Sequence, residues 1–160
     1  MGLKRTNSTK RHAPGPPIRV IIVADFGPDV QRYRDEFANL TFPRPESCPD
    51  CAATKPLVGH GSYGRQACDD QQVFAIRVKR FLCTLCRHTV SILPSFCLPH
   101  RHYLAGTIQR VLTMRFCEGA SWQAICELFS PSEVPGLSSC REWVASFTRA
   151  SDSYLTHLLH

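Results

Sequence analysis

Four cysteines fall into two Cys-x-x-Cys pairs, Cys48-Pro-Asp-Cys51 and Cys83-Thr-Leu-Cys86. Two such turns offer a borderline-soft, tetrahedral cation four sulfur ligands, which is the chemistry of zinc. Four protein ligands leave no open position for substrate or water, so the expected metal is one structural Zn2+. The competing readings are a chance pairing of cysteines or a redox role. Lys55, Arg80 and Arg87 are close enough in sequence to offset the excess negative charge of four thiolates.

The chain holds nine cysteines, an odd number, and starts without a secretory signal. A reducing compartment with metal-bound or buried thiols fits this better than a disulfide framework. Cys97, Cys117, Cys126 and Cys140 lie in or beside apolar patterns and are expected to be buried as small hydrophobes, with Cys68 exposed in a turn. Cys97, His100 and His102 form an alternative second metal site, against the plainer reading of a basic surface loop. No apolar run reaches membrane-spanning length. The expected location is therefore cytoplasmic.

A formal net charge of +6 and an isoelectric point near 9.0 favour phosphate-bearing partners or an anionic surface. With the helical segment described below, the expected partner is double-stranded DNA. Arg77, Lys79 and Arg80 precede the second cysteine pair, Arg87 and His88 follow it, and Arg101, Arg110 and Arg115 lie further along. If several share a face they make a phosphate-binding track; otherwise they are ordinary solvated charges. Aromatic residues are not interleaved with them, which argues against single-strand stacking.

The elements that must position these groups make an α+β chain. Residues 1–17, with Lys4, Arg5, Lys10, Arg11 and three prolines, are expected to form a disordered basic arm. Residues 18–47 form a strand-helix unit: Ile18 to Ala24 is β-branched, Gly27-Pro28-Asp29 opens a helix with Pro28 near its first position, and Pro43 and Pro45 mark a linker. Residues 48–103 form a zinc ribbon, a β-hairpin with strands 59–67 and 72–82 that returns the two cysteine turns to one end. Phe74, Ile76 and Val78 face one way and Arg77 and Lys79 the other, while Ser91 to Pro99 is expected as an extended connector packed against the ribbon.

Residues 104–160 form a three-helix, helix-turn-helix-like segment. Its first helix stops at Gly119, Ser121 caps the second, and Ser130 to Glu133 matches a capping box for a single turn. The third helix carries Leu137, Cys140, Val144 and Phe147 as its apolar stripe, with Trp143 beside it and Ser138 or Ser139 as its cap. Its polar face presents Ser138, Ser139, Arg141 and Glu142. Arg141 suits guanine, Glu142 suits the cytosine amino group, and the serines suit phosphates or base edges. The turn before this helix is longer than the usual three or four residues, which displaces the recognition helix or makes a looser variant.

Cys48-Pro-Asp-Cys51, Gly59-His-Gly61, the run Arg77 to Thr89 around Cys83 and Cys86, and Ser91-Ile-Leu-Pro-Ser-Phe96 together resemble the N-terminal zinc ribbon of bacterial insertion-sequence transposases. They resemble more closely a stand-alone bacterial family of transposase-like zinc-ribbon proteins. The resemblance runs from about Val20 to Phe147, with Cys48 to Tyr103 the most specific part. It implies cytoplasmic, zinc-dependent recognition of transposon ends or a related DNA sequence. Full transposases continue into a catalytic domain with metal-binding carboxylates, whereas Asp25, Asp29, Asp69, Asp70 and Asp152 are scattered here, so no enzyme activity is expected. A zinc-ribbon module that recruits a separate transposase or regulator is the alternative. A zinc-dependent deaminase needs a His-x-Glu motif, which the sequence lacks.

Overall fold

The computed structural model of the chain describes residues 19–129 and 135–158. The expected basic arm and the capping box at Ser130 to Glu133 lie outside them. The architecture is α+β, in the order β1 (Arg19–Ala24), α1 (Val30–Glu36), β2 (Leu57–Cys68), β3 (Val73–Cys83), β4 (Thr89–Pro94), α2 (Ala105–Phe116), α3 (Trp122–Leu128) and α4 (Leu137–Leu158). The strands form one mixed sheet ordered β1-β4-β3-β2.

The main departure from expectation is Thr89–Pro94. It is a central strand, parallel to β1 and antiparallel to β3, and not a connector laid over the ribbon. Pro94 is tolerated because it is the strand's last residue, and Val90 to Leu93 are buried on both faces. Of the two prolines in the expected connector, Pro94 thus ends a strand and Pro99 lies in the loop beyond it. β1 is thereby the fourth strand of the hairpin's own sheet.

Both sheet faces are covered. On one, Phe74, Ile76, Val78 and Leu93 pack against Val30 and Tyr33 of α1 and against Phe96. On the other, Phe81, Val90 and Ile92 pack with Leu57 around Cys48 and Cys83. Tyr33 is anchored by donating its hydroxyl to the Arg77 carbonyl at 2.8 Å. Helix α1 starts later than the sequence indicated: the Asp29 carboxylate accepts the Arg32 N–H and caps it, leaving Pro28 just outside.

Cys68 ends β2 and is half-buried, not exposed in the turn, because its N–H donates to His102 O and its carbonyl accepts from Leu104 N–H. The tight turn is instead held by Asp69, whose carboxylate accepts from the amides of Gln71 and Gln72.

Helices α2, α3 and α4 share a separate core of Ile108, Val111, Ile125, Phe129, Cys140 and Trp143. Gly119 ends the first of them at φ +65°, and the Ser121 hydroxyl caps α3 through Ala124 N–H, as the sequence indicated. Helix α4 departs from expectation in two respects. The Gly136 carbonyl accepts from Ser139 and Cys140 N–H, so the serines sit inside the first turn and neither is the cap. Trp143 is buried while Phe147 is half-exposed, so the inward stripe is rotated toward Trp143, which meets Tyr103 edge-on. Cys97 and Cys140 are buried as expected, but Cys117 and Cys126 are exposed: one lies past the end of α2, the other on the outer side of α3.

Candidate metal centre

The two cysteine turns meet at one end of the sheet and repeat the same backbone pattern. In the first, Ala52 N–H donates to Cys48 O at 2.8 Å and Cys48 N–H to Ala53 O at 2.9 Å. In the second, Arg87 N–H donates to Cys83 O at 3.0 Å and Cys83 N–H to His88 O at 2.9 Å. Each turn puts the residue after its second cysteine in the left-handed region, Ala52 at φ 57° and Arg87 at φ 64°. Thr84 ties the second turn to the start of β2, donating its N–H and its hydroxyl to the Pro56 carbonyl.

This geometry gathers Cys48, Cys51, Cys83 and Cys86 with every Sγ within 4.8 Å of the others. Cys48 and Cys86 are 3.7 Å apart, and so are Cys51 and Cys83. That is far beyond a disulfide's roughly 2.0 Å. Metal–sulfur bonds of about 2.3 Å in a tetrahedron place sulfurs about 3.8 Å apart, so the four thiols can hold one metal ion and fit a structural zinc.

Backbone amides face the sulfurs: Ala53 toward Cys51, Leu85 and Cys86 toward Cys83, and His88 toward Cys86. Burial opposes ionisation of Cys83, yet the Cys86 and Leu85 amides together with the Cys86 and Cys51 sulfurs outweigh it and lower that thiol. At Cys86 the His88 amide favours the thiolate, but burial and the three neighbouring sulfurs push the thiol up. Four thiolates therefore do not coexist easily without a cation between them.

No side-chain contact with the sulfurs is found for Lys55, Arg80 or Arg87 among the described residues. The residues that brace the site were instead missed by sequence reasoning as a pair: His88 Nδ1 meets Asp50 Oδ2 at 2.5 Å, joining the two turns. Asp50 and His88 are 38 positions apart and carry no joint pattern, though each lies within or beside a cysteine pair. The second site proposed from Cys97, His100 and His102 does not form. Cys97 is buried in the core beneath the sheet, whereas both histidines are exposed.

Residues 48–124 match the family described as a domain of unknown function, DUF6431. The matched stretch begins on the first metal-site cysteine, includes β2 to β4 and α2, and ends within α3. The family's description names neither a transposase nor a zinc ribbon. No curated protein and no solved structure matches the chain.

The residues expected to bind DNA are dispersed. Arg77 is exposed, donates to Ser62 Oγ and stacks over Phe37 at 4.9 Å. Lys79 lies opposite Ile92 on the sheet, and Arg87 projects from the second cysteine turn. Arg110 pairs with Asp70 at 3.2 Å, and Arg101 pairs with Glu142 at 2.5 Å, linking two residues assigned to different roles. Arg115 and Arg141 both lie over the Trp122 ring, at 5.1 and 5.6 Å. Ser138 is exposed and Ser139 half-buried at the start of α4. Only Arg80 and Arg101 of this set line a common recess, together with Arg65, His100 and His102. Arg65, which carried no signal beyond its charge, is the residue the sequence reading missed. Among the described residues, no helix is long and apolar enough to cross a membrane.

Proposed function

We propose that this chain is a cytoplasmic, zinc-dependent DNA-binding protein of transposase type, with no catalytic role of its own. The observation that carries the reading is the four-sulfur cluster at tetrahedral spacing. With Cys48, Cys51, Cys83 and Cys86 all committed to the ion, zinc orders the end of the sheet and has no position left for a substrate. A metal used only for structure suits a recognition module, and the +6 charge directs recognition to an anionic partner. Helices α2 to α4, sharing one apolar core, would dock in helix-turn-helix fashion. The outward start of α4 offers Ser138 and Arg141, with Arg115 held beside Arg141 over Trp122.

The test is fluorescence anisotropy of the zinc-loaded chain with random-sequence duplex across a salt series. Binding that falls steeply with salt supports the reading, because Lys and Arg release counterions from phosphates. A folded, zinc-replete protein that ignores duplex at low salt refutes it. A second reading, a module that recruits another polypeptide, is favoured by one observation: Phe116 of α2 and Phe147 of α4 are 50% and 48% exposed and lie 5.4 Å apart. Salt-insensitive binding to a protein, lost in Phe147→Ser, would put that reading first.

A further inference from the structure

Strand β3 changes its buried face partway along. Phe74, Ile76 and Val78 are buried on one side, then Phe81 and Cys83 on the other. Arg80, two positions after Val78, thus stays on the face of the first three. Strand β2 bulges opposite this residue: the register passes from Gly59↔Phe81 to Ser62↔Lys79, so His60 and Gly61 together face Arg80, with Gly61 at φ +66°. Bulges of this kind re-aim side chains at sites. Here the guanidinium carbon of Arg80 lies 5.7 Å from the Tyr63 ring centroid, and its Nε is buried with no hydrogen-bond partner among the described residues.

Above Arg80 lies the segment from Leu98 to His102. Arg65 holds it down by donating to the Leu98 carbonyl at 2.7 Å and to the Arg101 carbonyl, while Cys68 N–H donates to His102 O. Both acceptors of Arg65 are neutral, so its charge is not cancelled. Between segment and sheet is a cavity of about 650 Å³ lined by Arg65, Arg80, His100, Arg101 and His102, with the buried Ser91 on its floor; no carboxylate lines it, although the Arg101 guanidinium is itself engaged by Glu142. Leaving a guanidinium N–H buried and unpaired carries the full desolvation penalty of a charged donor. A tetrahedral oxyanion in the recess would give the Arg80 Nε–H its missing acceptor and answer the uncancelled charges of Arg80 and Arg65.

We infer that this recess is a binding site for a phosphate group, with Arg80 as its anchoring donor and Arg65 shaping its rim. The chemistry is that of a phosphate mono- or diester. Its assignment to a DNA backbone phosphate, which would set the register of the duplex on the sheet, rests on the DNA-binding reading; a free nucleotide is the other source.

The experiment uses the full zinc-loaded chain. The Nε–Hε NMR signal of Arg80, assigned by its loss in Arg80→Lys, is followed while inorganic phosphate, then a 5′-mononucleotide, is added at constant ionic strength. A saturable shift at millimolar phosphate, absent with chloride, is expected. In parallel, Arg80→Lys weakens duplex binding roughly tenfold with the salt slope little changed, because the charge is kept while the fork donor is replaced by a point charge. Arg34→Lys on α1 leaves it unchanged. Wild-type binding to duplex with an unmoved Arg80 signal and no loss in Arg80→Lys overturns the phosphate site and leaves the DNA reading intact. No duplex binding alongside a saturable shift supports the site, with a free nucleotide as its ligand, and sinks the DNA reading. If Arg80→Lys fails to fold, the signal is assigned by selective labelling and the wild-type titration decides.

Discussion

Replacing Cys83 with serine removes one of the four sulfurs that can hold a metal ion, at a position 0% exposed to solvent. Structural zinc contributes an apparent 10–16 kcal/mol in zinc-finger peptides, so a one-quarter share is about 2.5–4 kcal/mol. A serine hydroxyl left there without a partner adds about 1–3 kcal/mol. The sum, roughly 4–7 kcal/mol, is comparable with the whole stability of an ordinary domain, about 5–15 kcal/mol. At 2–4 °C per kcal/mol the melting temperature of Cys83→Ser falls by roughly 10–25 °C. The loss centres on Leu57, Phe81, Val90 and Ile92, which pack around Cys48 and Cys83, and spares the separate core of α2 to α4. Bound zinc is counted by plasma emission spectrometry, and melting is followed by circular dichroism with and without a chelator. Chelating the wild type reproduces the effect, whereas Cys126→Ser, exposed on α3, shifts stability by less than about 0.5 kcal/mol. A Cys83→Ser protein that holds one zinc per chain and melts within a degree or two of wild type refutes the reasoning.

Two further outcomes follow from backbone geometry. Ala52 sits at φ 57° after the first cysteine pair, so Ala52→Gly relieves strain of about 1–2 kcal/mol at an entropic cost of about 0.5–1. Urea denaturation is expected to give a net gain of about 0.5–1 kcal/mol, with zinc content unchanged. Gly61, at φ +66° in the bulge opposite Arg80, behaves oppositely. Nothing lies within 4 Å of an added methyl, so Gly61→Ala sets backbone strain of about 1–2 kcal/mol against an entropic gain of about 0.5–1, a net loss of about 0.5–1 kcal/mol by the same denaturation assay.

The four-cysteine cluster was legible because its information is local: each Cys-x-x-Cys pair builds its own turn, and the hairpin between them returns the second turn to the first. Hairpin strands, the Ser121 cap and the Gly119 stop were legible for the same reason, each depending on alternation or on a residue's own backbone preference. Other features turn on what covers a face. Ser91 to Pro94 has a composition that serves an edge connector or a buried strand equally well, and pairing with β1 and β3 made it the latter. Trp143, and not Phe147, turned inward because Tyr103 and the α2–α3 core lie on its side.

Arg80 and the Asp50–His88 clasp lie furthest from what a sequence can specify. Alternation along β3 orients Arg80, but only the Leu98 to His102 segment, pinned by Arg65, encloses it. Asp50 and His88 meet only because the β2–β3 hairpin brings the two cysteine turns to one end of the sheet. The sequence by itself determined which residues can bind a metal and where the chain turns, since both follow from residue types a few positions apart. The tertiary structure decided which charges are enclosed and which are paired, because enclosure and pairing depend on distances between segments tens of residues apart.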